Sequence, residues 1–371
     1  MKKMRRLHIL FTVLLLVLLA SNGVLLAQSA GEISSATEVL GWEYVISISD
    51  EMVDTSAFVK APPYRIGFLT GFQGNTWAIQ FTRELFEEAE KYGDLIAEIV
   101  HLDANLEIPR QISSLEDVVA KGVDAIVIDP VSPTALGGVL EMIKQKNIPV
   151  IAASSQIPLE QVTAWVGRND YEYGKVTAIW LAEKMGYSGN IIALSGVAGN
   201  PVAEERWKGA KDVFDQHPGI KVLTRQFAEW GFAQAKGVMA SLLPAYPQID
   251  GVWSGGGAMT QGAMQAFQDA GRELVPMVGE ANNGFLLDWM KASDQGFESI
   301  AFNNPTNHTA IALRLALKAL RGEPIPIRVD ANAPYILNLD TAKLYARPDL
   351  ADGYWVGTSL SEETLKEMWS E

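Results

Sequence analysis

The stretch Tyr64-Arg-Ile-Gly-Phe-Leu-Thr-Gly-Phe-Gln-Gly-Asn-Thr-Trp77 decides the fold. Ile66–Leu69 is a short continuous apolar run, and a glycine-punctuated polar turn follows it. From Trp77 onward Ile79, Leu85, Phe86 and Ala89 recur at helical spacing, which predicts a helix over Trp77–Tyr92. In an open parallel sheet the ligand crevice lies beyond the carboxyl ends of the strands. The turn therefore sets Gln73, Asn75 and Trp77 at the mouth of such a crevice. Neutral hydrogen-bonding groups beside an aromatic plate suit a polyhydroxylated neutral ligand better than a phosphate. Asn75 is also the residue type that caps a helix start.

Outward from this stretch, strand and helix patterns alternate, the signature of a parallel sheet covered on both faces. Ile96–Leu102, Ala125–Ile128, Pro149–Ala153 and Ala164–Gly167 read as further strands. Ile108–Lys121 and Thr134–Lys146 read as the helices between them. After Arg168-Asn169-Asp170 the pattern starts again. Strands are expected at Asn190–Ser195, Lys221–Ala228, Gly251–Ser254, Pro276–Gly279 and Ser299–Phe302. Helices are expected over 171–185, 202–216, 233–243, 259–270 and 285–291. Thr306–Arg321 reads as one more amphipathic helix, stopped by Gly322-Glu-Pro-Ile-Pro326. The fold class is α/β: two doubly wound parallel-sheet lobes, each of ordinary domain length.

Composition and the N-terminus limit the function classes. Met1–Arg6 is basic, Leu7–Ala20 is apolar, and small residues follow near Ala27 and Ala30. That is the pattern of an export signal, expected over residues 1–30. Ser21-Asn22-Gly23 interrupt the apolar run, which argues for cleavage over retention as an anchor. Residues 31–63 form an extension of mixed composition. The chain has no cysteine, so neither disulfides nor thiolate metal sites enter the argument. Formal charge is −14 with the basic leader still counted; such an acidic body repels nucleic acid and anionic lipid.

Catalytic signatures are missing: the chain carries no Gly-x-Ser-x-Gly elbow, phosphate loop or His-Glu-x-x-His motif. Beyond the leader, His101, His217 and His308 are widely separated and lack ligand spacing, so no metal and no cofactor is expected. Neutral polar and aromatic residues instead gather where strands end. The candidates there are Ser154, Trp230, Asn282 and Asn303, with the charged Asp129, Arg206 and Glu280 and the Gly256-Gly257 turn beside them.

In this order and spacing, Asp124-Ala-Ile-Val-Ile-Asp-Pro130, Lys146-Asn-Ile-Pro-Val-Ile151 and Glu205-Arg206 resemble the type I periplasmic sugar-binding proteins, closest to the ribose-binding branch. The resemblance spans about Tyr64 to Val329. It implies a three-crossover hinge, near Arg168–Asp170, Asn303–Thr306 and Val329–Ala331. Lobe 1 would comprise 64–168 plus 304–329, and lobe 2 169–303 plus 330–371. It further implies that Asn75 and Trp77 meet the sugar, that Arg206 clamps ring hydroxyls and that Trp230 stacks on the ring. Asn303 would add an amide, and Glu280 or Asn282 an acceptor. The ribose proteins have an Asp-Arg pair where this chain has Ser154-Ser155, and Asn-Asp where it has Gly256-Gly257, which widens the expected ligand to other neutral sugars and polyols. A monomer exported from the cytoplasm, serving the membrane permease of an ABC importer and with no span after cleavage, is the expected setting. The same cleft would serve a sensor subunit for a chemoreceptor or histidine kinase. A sugar-acting enzyme would need paired carboxylates; Asp129 with Glu280 is the pair to nominate, and a binding protein without enzymatic activity is the expectation.

Overall fold

The computed structural model describes residues 47–331 and 336–370. The expected signal segment and the first part of the extension lie outside those residues. Two short strands open the described chain, β1 (Ser47–Ile48) and β2 (Met52–Val53). The first α/β block then runs β3 (Tyr64–Thr70), α1 (Thr76–Glu90), β4 (Ile96–Asp103), α2 (Ile108–Ala120), β5 (Ala125–Ile128), α3 (Gly137–Gln145), β6 (Val150–Ser154) and β7 (Ala164–Gly167). The second block runs α4 (Asp170–Lys184), β8 (Gly189–Ser195), α5 (Pro201–Phe214), β9 (Ile220–Phe227), α6 (Phe232–Ala245), β10 (Gly251–Ser254), α7 (Gly257–Asp269), β11 (Met277–Glu280), α8 (Asn283–Ser293) and β12 (Ser299–Phe302). The chain then returns to the first sheet through α9 (His308–Leu320), β13 (Ile325–Pro326) and β14 (Arg328–Asp330). It ends on the second side with β15 (Ile336–Leu337), α10 (Leu339–Tyr345) and α11 (Glu362–Trp369).

One sheet has the order β1-β14-β7-β6-β5-β3-β4, the other β15-β12-β11-β10-β8-β9. All neighbours are parallel except β1 and β15, which close one edge of each sheet antiparallel. The central strands are apolar throughout because helices cover both faces; β5 and β6 are buried along their whole length. The α/β reading and the two parallel sheets hold. Three passages join them: β7 to α4, β12 to α9, and β14 to β15.

Two elements depart from the sequence pattern. Helix α3 begins at Gly137, not Thr134, because the Ser132 hydroxyl accepts from the Ala135 amide and holds residues 132–135 in a turn. Helix α9 is buried nearly all round, not on one stripe. The segment carrying β1 and β2 covers its outer side. The Lys60 amide donates to the Leu320 carbonyl at 3.0 Å, the Thr55 hydroxyl donates to the Glu323 carbonyl at 2.7 Å, and Phe58 and Val53 pack on the same core. No helix among the described residues is long and apolar enough to cross a membrane.

Candidate functional site

The carboxyl ends of both sheets face one cavity, a space of ≈ 720 Å³ when the open solvent at its mouth is included. One wall comes from the first block. Asn75 caps α1 by accepting the Ala78 amide at 2.9 Å on Oδ1, which leaves its Nδ2 donors for a ligand. Trp77, in the first turn of α1, stacks on Phe81 with centroids 4.6 Å apart, and the Arg168 guanidinium lies 5.6 Å from its ring. The opposite wall is built by the second block. Glu229 and Trp230 both have left-handed backbone conformations, φ +53° and +54°. Strain of this kind is kept where the surroundings over-determine it, often at ligand sites. The Trp230 indole lies so close over Gly196 that a Cβ there would stand 2.0 Å from the ring, and one at Gly256 would stand 2.9 Å from it. The Gly256 departure thus has a reason: it makes room for tryptophan.

A third indole, Trp355, reaches the cavity from the segment between α10 and α11. All three rings have their N–H occupied by protein. Trp77 donates to the Asn304 carbonyl at 3.0 Å, Trp230 to the Gly255 carbonyl at 3.2 Å, and Trp355 to the Thr76 hydroxyl at 2.9 Å. The tryptophans therefore present apolar surface rather than donors.

Charge in the cavity is nearly balanced. Asp170 Oδ1 accepts from Arg168 Nε at 3.1 Å and from Arg206 Nε at 2.8 Å. Arg206 Nη1 also donates to the Gly255 carbonyl at 2.7 Å and pairs with Glu280 Oε1 at 2.8 Å. The Arg206 guanidinium lies 4.1 Å from the Tyr173 ring centroid. Arg168 donates from Nη1 to the Ser154 hydroxyl at 2.9 Å, and Ser154 itself has φ +68°. Burial opposes the charge on Arg206, but Glu280 and Asp170 hold it above its ordinary pKa. Burial pushes Glu280 up, while Arg206 and Arg168 pull the other way. Two guanidiniums thus meet two carboxylates in a place that water barely reaches, where unpaired charge would be costly. Asp129 is the remaining acid. Burial raises it to about 6 against the Ser155 hydrogen bonds.

Of the candidate residues, Asn75, Trp77, Asp129, Ser154, Arg206, Trp230 and Glu280 line this cavity. Gln73, Asn282 and Asn303 do not. The Gln73 amide donates to the Thr82 hydroxyl at 2.6 Å and is used on α1. Asn282 is buried and bridges backbone to backbone with Trp355. Asn303 is fully buried, and Asn304, one residue on, lines the wall instead. The nominated carboxylates Asp129 and Glu280 share the cavity, with Glu280 ion-paired to Arg206. Arg168 and Trp355 also line the cavity and are absent from the candidates, alongside smaller residues such as Ser155, Asn200 and Asn304. A charged residue at a strand end signals the first, whereas nothing local signals the second.

The sequence profile of the periplasmic binding protein domain matches residues 66–324. The chain belongs to this family. Among its relatives, a xylitol-binding protein of Mycolicibacterium smegmatis is 31 % identical over 229 residues, covering 62 % of this chain and 65 % of that protein. A ribose import binding protein of Escherichia coli is 29 % identical over 254 residues, 68 % of this chain and 82 % of that one. The structure of an ABC transporter periplasmic solute binding protein from Actinobacillus succinogenes, with bound D-allose, superposes with a TM-score of 0.64 at 26 % identity. It covers 76 % of this chain and the whole of that chain. In a periplasmic binding protein of this type, the cavity between the two sheets is where the crevice rule places a ligand.

Proposed function

We propose that this protein captures one neutral sugar or polyol in the cavity between its two sheets and delivers it, outside the cytoplasm, to the permease of an ABC importer. The observation that carries the reading is the cavity lining itself: three indole faces with their N–H groups already occupied, beside Arg168, Arg206 and Glu280, whose charges are paired with one another and with Asp170 behind the wall. Apolar C–H faces of a sugar fit the rings, and its hydroxyls find acceptors in Asp129 and Glu280 and donors in Asn75 Nδ2. A net-charged ligand would upset the balance. Xylitol, ribose and D-allose, the compounds named for the relatives, are all of this class.

Residues of both blocks line the cavity, and the three crossovers near Arg168–Asp170, Asn303–Thr306 and Val329–Ala331 serve as the hinge between lobes. Contacts to both walls exist together only when the lobes are closed, so the ligand shifts the population toward closure. Hydrogen bonds worth about 0.5–1.5 kcal/mol net each, with ring stacking, reach the roughly 8 kcal/mol of micromolar binding.

Thermal unfolding with D-ribose, xylitol, D-allose and myo-inositol, beside glutamate and inorganic phosphate, tests the reading. A neutral compound raises the melting temperature by mass action, and small-angle scattering records a smaller radius of gyration with it bound. A shift with glutamate or phosphate alone sinks the proposal.

A further inference from the structure

Trp355 lies beyond the residues that the family profile matches, yet it forms part of the cavity wall. Its backbone is held from both sides by Gln80, whose Oε1 accepts the Trp355 amide at 3.0 Å and whose Nε2 donates to the Trp355 carbonyl at 3.0 Å. The indole is fixed by Thr76, and the residue is only 6 % exposed. On the other lobe Trp355 bridges to Asn282, and the Val356 amide donates to the Ala281 carbonyl at 3.1 Å. Glycines bracket it. A Cβ at Gly353 would stand 2.5 Å from the Trp369 ring, and Gly357 has φ +85° against Pro305. The Glu84 carboxylate fastens the same segment by accepting from the Thr358 and Ser359 hydroxyls.

We infer that Trp355 is a specificity-determining residue that closes the crossover side of the cavity and limits the ligand to a single sugar or polyol unit. This rests on reading the cavity as a sugar site. A ring clamped by backbone on both sides and by its own N–H does not swing away for a longer ligand. Its indole is bonded to Thr76, next in sequence to Trp77, and Trp77 in turn donates to the Asn304 carbonyl, so the ligand is boxed on the side where the chain passes between sheets. A linked second sugar would have to extend toward Val131 and Val202, which line both the cavity and an adjoining groove.

The test is calorimetric titration of the full chain with D-ribose, xylitol, D-allose and the two-ring sugar cellobiose. Wild type is expected to bind at least one single-unit compound and to bind cellobiose at least 100-fold more weakly. Trp355→Ala should weaken the preferred single-unit compound at least tenfold while tightening cellobiose, so that the ranking narrows. Trp355→Phe, which keeps a ring, should retain the wild-type ranking, and Thr76→Val, which frees the indole, should shift it toward the Ala variant. Circular dichroism melts confirm folding of each variant. A uniform loss for all sugars, or unchanged affinities, overturns the inference while leaving the site reading intact. Wild type that binds none of the single-unit compounds overturns both.

Discussion

Helices α1 and α5 occupy matching places, each following the first strand of its block, and they use their buried polar residues in opposite ways. Both start on an asparagine cap, Asn75 accepting from Ala78 and Asn200 from Val202, and both caps line the cavity. In α5 the buried polar group is Arg206, bound to Asp170, Glu280 and Gly255 around the ligand space. In α1 the buried polar groups include Gln80 and Glu84, one turn apart, and these two grip the crossover and the C-terminal segment. Gln80 and Glu84 both bond the Thr306 hydroxyl, at 2.9 and 2.7 Å, and Glu84 also receives Thr358 and Ser359. Both helices reach the cavity, but the buried polar group of α5 faces it, whereas Gln80 and Glu84 of α1 face the crossover and the C-terminal segment. The same strand-turn-helix unit therefore serves chemistry or mechanics according to what the rest of the chain brings against it.

The strongest way to break this contrast is Arg206→Met. It leaves Asp170 and Glu280 as buried carboxylates short of a partner, so about 3–5 kcal/mol of stability should be lost together with sugar binding. Urea unfolding and titration read the two losses. Glu84→Leu strips an acceptor from several buried donors and should cost roughly 2–3 kcal/mol, yet change sugar affinity less than tenfold. Equal binding losses from the two variants would erase the distinction between the helices.

Asp129 sharpens the comparison through pH. Its carboxyl titrates near 6 when folded and near the ordinary 3.8 when unfolded. Between those values the folded protein holds more protons, so its contribution makes stability fall as pH rises from about 4 to about 6, then level off. Urea midpoints of Asp129→Asn across that window should slope less than those of wild type. Smaller again is Trp230→Ala, which removes one stacking face worth about 1 kcal/mol. Calorimetry should show sugar affinity reduced by roughly fivefold to tenfold at an unchanged stoichiometry. The smallest effect belongs to the caps. Asn75→Ala and Asn200→Ala should each cost about 1 kcal/mol in urea midpoint, and a difference in sugar affinity between them shows which cap also serves the ligand.

Much of the architecture was legible beforehand. Continuous apolar runs such as Ala125–Ile128 announce strands covered on both faces, and the strand-end turns announce where a cavity forms. Trp77 and Trp230 were readable for that reason: each follows a strand by a few residues, so its place depends on local geometry alone. Gln73 and Asn303 were misplaced by the same logic, because it locates a loop but not which way each side chain turns. Gln73 turns back to Thr82, and Asn304 takes the wall position beside Asn303. The burial of α9 was hidden because its cover, residues 47–60, carries no pattern that names the surface it will meet.

By itself the amino-acid order determined the alternating elements, the paired sheets and the edge on which a ligand cavity forms. These follow from apolar periodicity and turn chemistry, which act over a few residues. Only the tertiary structure decided that the charges of Arg168 and Arg206 cancel against Asp170 and Glu280, and that Trp355 completes the wall. Apart from Arg168 with its near neighbour Asp170, those contacts join groups far apart in sequence, as the Trp355 amide and the Gln80 side chain meet across 275 positions, and only close packing settles which partners meet.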